Sequence, residues 1–266
     1  MESTLSYQLV DYQAEVGFFL GFGRGTKYGD PAWTGAQQAT IASCVNSGLR
    51  QFLFPPPAPG SDTSYDWSFL KPLANLTLAA SAATLPLPSD FGGLEGQVMV
   101  LAGTGVVSWP IDVVGIGRVY AARAEQPGIT GRPLLCCVEP LKGTSGNAGQ
   151  QFQLTFFPTA DQSYGVQFQY YVLVDAMSPA FPYAYGGAAH VETILESCLA
   201  VAEQRLDDAS TVHSAKFAER LLASINIDRK NKPQKLGYNR DNSDSRGFRR
   251  GDGHWNNQVK IYGNVY

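Results

Sequence analysis

Residues 185–230 constrain this chain most: YGGAAHVETILESCLAVAEQRLDDASTVHSAKFAERLLASINIDRK reads as two amphipathic helices back to back. In the first, Val191, Ile194, Leu195, Cys198, Leu199, Ala202 and Leu206 recur at steps of three and four. That spacing lines one stripe of an α-helix. Glu192, Glu196, Glu203 and Arg205 fall off or beside the stripe. Asp207-Asp208-Ala209-Ser210 breaks the pattern, and Ser210 suits the N-cap of a second helix. Val212, Phe217, Leu221, Leu222 and Ile225 then repeat the periodicity. Two such helices with a short connection predict an antiparallel hairpin whose apolar faces need a further partner.

The N-terminal region supplies that partner. Leu5, Leu9, Tyr12, Val16 and Phe19 predict a helix over 4–20, ended by Gly21-Phe22-Gly23-Arg24-Gly25. This glycine run lacks the spacing of a phosphate loop and comes after a helix rather than a strand, so it reads as a turn. Thr34 and Gln37 have capping-box spacing. Ile41, Val45, Leu49, Phe52 and Leu53 share a face of the next helix, which Pro55-Pro56-Pro57 stops.

The texture changes after Tyr65-Asp66-Trp67-Ser68-Phe69-Leu70. Strand-like runs occur at 97–101, 106–109, 134–138, 152–157 and 166–174, with a turn at 89–93 and one short helix at 116–124. Ala102-Gly103-Thr104-Gly105 marks a hairpin candidate. In the last run Phe168, Tyr170 and Val172 share one face, and Gln167, Gln169 and Tyr171 the other. The expected fold class is therefore α+β. N-terminal helices (1–70) and a C-terminal helical hairpin (181–230) form a helical bundle, an antiparallel β lobe (71–180) is inserted, and an extended C-terminal arm (231–266) completes the chain.

Charge separates the arm from the body. From Arg229 onward there are nine Lys/Arg and three Asp/Glu, against eleven and twenty in the rest. An acidic body with a basic tail predicts an interaction arm. The tail also carries Tyr238, Phe248, Trp255, Tyr262 and Tyr266, aromatic anchors that a plain linker does not need. Charged residues are only 16% of the chain, which suits a protein packed against partners. Cys44 and Cys198 sit on helix stripes and read as buried thiols, while adjacent Cys136-Cys137 point to opposite faces of a strand. A reducing interior is the expected place of synthesis. The start, MESTLSYQ, has the form of no secretory signal, and no apolar run is long enough to span a membrane.

Catalytic patterns are missing from the sequence. His190, His213 and His254 have no second His or Cys at metal spacing, and His190 reads as a surface or capping residue at a helix start. There is no GxSxG elbow and no HExxH. Asp207-Asp208 and Glu192/Glu196 fit solvated helix faces, although two glycosidase acids on separate strands leave no signature. The reading is a non-enzyme with no cofactor and no metal. Arg246, Phe248, Arg249 and Arg250 have the composition of a single-strand binder. An acidic body, however, repels a phosphate backbone.

The segments SGLRQFLFPP, YDWSFLKP, LPLPSDFGGLEG, FFPTAD and above all PYAYGGAAHVETILESCLAVAEQRLDD resemble the head-to-tail adaptor (connector) proteins of tailed bacteriophages, over roughly Leu5 to Arg229. The likeness is one of texture and order, and to the adaptors of short-tailed phages it is one of architecture. It implies a four-helix bundle with an inserted β lobe, larger here than in the smallest connectors. It also implies a ring of twelve copies below the portal and a C-terminal arm reaching up against the portal. On that reading the arm docks the portal through Arg246, Phe248, Arg249, Arg250, Trp255, Tyr262 and Tyr266. Helices 34–53 and 189–208 build the ring. Double-stranded DNA passes without sequence-specific contacts, and a tail tube, nozzle or tail-completion protein lies beyond. The expected place is the virion's head–tail interface, with no membrane partner. The alternatives are a tail-tube or tail-completion subunit, and a glycan-binding or hydrolytic virion β-protein with Trp109 or Tyr171 lining a groove.

Overall fold

A computed structural model describes residues 3–57, 64–103, 107–141, 149–207, 212–231, 260–261 and 264–265. The chain divides into two compact units, Met1–Asn231 and Lys232–Tyr266. Among the described residues the first unit holds five α-helices: α1 (Leu9–Phe19), α2 (Gly35–Leu53), α3 (Ile116–Glu125), α4 (Val191–Asp207) and α5 (Val212–Asn231). Its strands are β1 (Leu73–Leu78), β2 (Thr84–Pro86), β3 (Phe91–Val100), β4 (Trp109–Val113), β5 (Thr130–Gly131), β6 (Leu135–Leu141), β7 (Gln151–Phe157), β8 (Thr159–Ala160) and β9 (Tyr164–Val172).

Seven of these strands form one nearly closed, barrel-like sheet in the order β1-β9-β3-β4-β6-β7-β2. The molecule is a mixed α/β structure, and this corrects the expected helical bundle with an inserted antiparallel β lobe. Three features separate the two architectures. The sheet is no appendage: it encloses a core of its own, with Leu78, Val98, Ile111, Leu154, Phe156 and Phe168 at its centre. One of the five helices, α3, packs on β6 and β7. And β4 runs parallel to β6, with Asp112 opposite Leu135 and Val113 opposite Cys136. Parallel neighbours need a crossover connection, which α3 supplies. Period-two patterning marks where strands lie but not their order, so reading successive runs as hairpins hides the crossover.

Alternation along β9 matches the register: Tyr164, Val166, Phe168, Tyr170 and Val172 are buried, and the residues between them are not. The hairpin expected around Ala102 exists as β3 paired antiparallel with β4, Val98 opposite Ile111. β3 begins earlier than predicted, at Phe91, inside the glycine-rich stretch read as a turn. Gly92 lies close against β9, where an added Cβ would come within 3.0 Å of the Tyr171 carbonyl oxygen.

The helices form a second core around α4. Tyr12 and Val16 of α1, Ile41, Val45, Leu49 and Phe52 of α2, Ile194 and Cys198 of α4, and Phe217 and Ile225 of α5 meet in one cluster. The Thr34–Gln37 capping box forms as its spacing predicts. Gln37 N–H donates to Thr34 Oγ1 at 3.3 Å, and Thr34 N–H to Gln37 Oε1 at 2.8 Å. Close packing of α2 on α4 depends on Gly48, whose missing Cβ would lie 2.5 Å from Cys198 Cα. The segment before β1 plugs this core: Trp67 is fully buried and its Nε1–H donates to the Phe52 carbonyl at 3.1 Å. Val174, just past β9, packs against both cores and joins the helices to the sheet.

Candidate functional site

The seven residues expected to dock the portal, Arg246, Phe248, Arg249, Arg250, Trp255, Tyr262 and Tyr266, lie outside the described residues, as do His254 and Ser210. In the second unit two short strands, β10 (Lys260–Ile261) and β11 (Asn264–Val265), pair antiparallel.

Of the acidic pair Glu192/Glu196 that the sequence places on a solvated face, Glu192 is exposed and Glu196 is not. Glu196 and Glu203 are buried. His213 Nδ1 lies 2.7 Å from Glu196 Oε2, and Arg220 reaches Glu192 at 3.1 Å and Glu196 at 4.0 Å. Glu203 accepts from the N–H groups of Val212 and His213, at 3.3 and 3.0 Å, and so caps the start of α5. The positions 192, 196 and 203 share one helix face by spacing alone, which was the available signal that they meet a neighbour. The Phe19 ring packs edge-on against the His213 ring, with centroids 5.2 Å apart.

His190 also departs from its expected surface position. It is 3% exposed and ringed by Phe52, Trp67 and Phe69, with centroids 5.7, 5.4 and 5.4 Å away. Burial lowers its pKa, opposed by the charge of Asp228. Its Nδ1 has no hydrogen-bond partner among the described residues. Asp228, itself 1% exposed, accepts from Tyr65 Oη at 2.7 Å, from Ser68 N–H at 3.2 Å and from Ser68 Oγ. These polar groups tie elements together, and none of them lines the groove at the end of β9.

That groove, about 560 Å³, lies where β9 runs out toward α4. Residues 172–177 and 180–185 form most of its wall, with Leu49 and Asp90 completing it. Tyr170 Oη donates to the Asp90 carboxylate at 3.2 Å, and burial together with that charge pushes the Tyr170 phenol up to about 12. Phe181 is 77% exposed at the rim.

Trp109 and Tyr171, the aromatics considered for a glycan groove, do not line the groove at the end of β9. Trp109 donates its Nε1–H to the Pro133 carbonyl at 2.9 Å, carries the Arg132 guanidinium on its face at 4.6 Å and meets Tyr164 edge-on. Tyr171 packs beside Phe54 and the helical core. Cys44, Cys136, Cys137 and Cys198 are free and buried, and burial raises all four thiols, Cys136 to about 12. Among the described residues no cluster of His, Cys, Asp or Glu is arranged to hold a metal ion. No described helix is long and apolar enough to cross a membrane.

No protein-family model matches this chain, and no curated protein matches it.

Proposed function

We propose that the chain is a structural virion protein, a head-to-tail adaptor whose copies form a ring under the portal and line part of the DNA exit channel. The supporting observation is that large apolar side chains stay exposed on separate elements: Val10 and Phe18 on α1, Val212 and Leu222 on α5, and Ile116 and Tyr120 on α3 with Val113 of β4 and Leu134. Exposed apolar side chains on different elements suit a head-to-tail contact between copies, and such contacts close into rings when the rotation between copies permits. Because α4 is packed against α1, α2 and α5, the exposed faces of α1, α2, α3 and α5 are left for the ring contact. The resemblance puts the ring number at twelve. An acidic body suits a channel wall along which double-stranded DNA slides without sequence-specific contacts. The basic C-terminal segment, with Arg246, Phe248, Arg249, Arg250, Trp255, Tyr262 and Tyr266, is the portal anchor, and a tail tube, nozzle or tail-completion protein docks on the far side.

Negative-stain imaging of the protein mixed with the portal from the same genome, with and without residues 231–266, tests this. The expected result is a ring added at the portal's narrow end and lost on truncation. Tubes of the protein alone, with no portal association, would replace the adaptor with a tail component.

A further inference from the structure

The groove beside β9 has a property that the adaptor reading does not use. The β9 ladder ends at Val172, opposite Phe91, and Leu173 N–H still donates to the Asp90 carbonyl at 2.7 Å. From Val174 to Met177 the main-chain N–H and C=O groups have no main-chain partner among the described residues. Unpaired backbone beside an apolar trough is the template on which a peptide adds as a strand, with side-chain pockets selecting alternate residues. The trough is apolar through Leu49, Met177, Phe181 and Tyr185. Among the described residues its charged lining residues are Asp90 and Asp175, and no Lys or Arg lines it.

We propose that this groove binds an extended peptide segment of a partner protein, one that pairs along residues 174–177 and alternates apolar with cationic side chains. The apolar residues fill the trough against Met177 and Phe181, and the cations meet Asp90 and Asp175. The site stands on the groove alone, whether or not the chain is an adaptor.

The test uses the full chain, isotope-labelled at its methionine methyls. Of the three methionines, Met177 lines the groove and Met99 lies in β3, opposite Pro110 of β4. The probe is the capped hexapeptide Val-Lys-Val-Lys-Val-Lys. Its controls are the Glu-for-Lys peptide and the same Lys peptide with alternate amides N-methylated. The Lys peptide is expected to move the Met177 methyl signal and leave Met99 in place. Both controls, and the Asp175→Lys variant checked for folding by circular dichroism, are expected to bind at least about tenfold more weakly. Several outcomes overturn the proposal. No Met177 shift by about 1 mM Lys peptide removes the peptide, and equal binding of the Glu peptide removes the charge argument. Undiminished binding of the N-methylated peptide removes strand pairing. A Met177 signal that moves with protein concentration alone makes a second copy the occupant, and a response to dodecyl micelles but not to peptide makes it a hydrocarbon chain.

Discussion

Tyr65 Oη donates to Asp228 Oδ2 at 2.7 Å across 163 residues of sequence, fastening the segment ahead of β1 to the last turns of α5. Ser68 adds its N–H and its hydroxyl to the same carboxylate. Hydrogen bonds to a charged acceptor each contribute about 1.5–3 kcal/mol. Asp228→Ala strands three donors and is expected to cost about 3 kcal/mol, whereas Tyr65→Phe removes one donor and costs about 1.5 kcal/mol. Urea unfolding of both variants checks the ranking; equal losses would contradict it.

At Gly48 an added Cβ meets the Cys198 main chain at 2.5 and 2.6 Å, which no side-chain rotation relieves. Gly48→Ala is expected to push α2 off α4 and lose about 2–3 kcal/mol. Gly35→Ala, at a helix position with open space around it, is expected to be neutral or slightly stabilising. Thermal melts of the pair separate close packing from backbone entropy.

Stability is expected to fall with pH through His190. Burial sets its folded pKa below the ordinary 6.5, so below that pH the unfolded chain binds more protons than the folded one. The stability contributed by the neutral ring is complete above 6.5 and is lost as pH falls toward the folded value. His190→Phe keeps the aromatic cage and removes the titration. Chemical unfolding from about pH 7.5 to about pH 5 should show a steeper decline for the parent than for the variant, and parallel declines would remove His190 from the effect.

Glu203 does for α5 what a capping residue normally does from the adjacent position. Glu203→Ala leaves the N–H groups of Val212 and His213 without their carboxylate, with an expected loss of about 1–2 kcal/mol. Amide hydrogen exchange should speed up at the start of α5 and remain slow in β9. A uniform increase throughout the chain would point to global loosening instead.

The helices are legible in the sequence because each carries a local period. The Ile41-to-Phe52 stripe and the Thr34 cap appear where spacing puts them, and the α4 and α5 stripes bury Ile194, Cys198, Ala202, Phe217, Leu221 and Ile225 while Leu206, Val212 and Leu222 stay exposed. The alternation of β9 also appears where spacing puts it. Spacing does not encode which strand neighbours which, so the β4–β6 parallel pair and the closing of the sheet stay hidden. Burial of polar residues escapes a sequence reading for a related reason. His190 and Glu196 look solvated beside an apolar stripe, yet the neighbours that bury them, Trp67 and His213, come from other segments. The groove has no motif at all, since its walls are irregular chain and its carboxylates are 85 residues apart in sequence.

The pairing of β1 with β9 and the packing of α2 on α4 have a consequence for the order of biosynthesis. β1 cannot find its partner until β9 has been made, and the part of the α2 face that packs on α4 stays uncovered until α4 emerges. At about 5–20 residues per second, the Phe52 and Leu49 side chains wait on the order of ten to thirty seconds for Ile194 and Cys198. During that interval α1 and Trp67 are among the partners already made, and the part of the α2 face that meets α4 stays open to solvent.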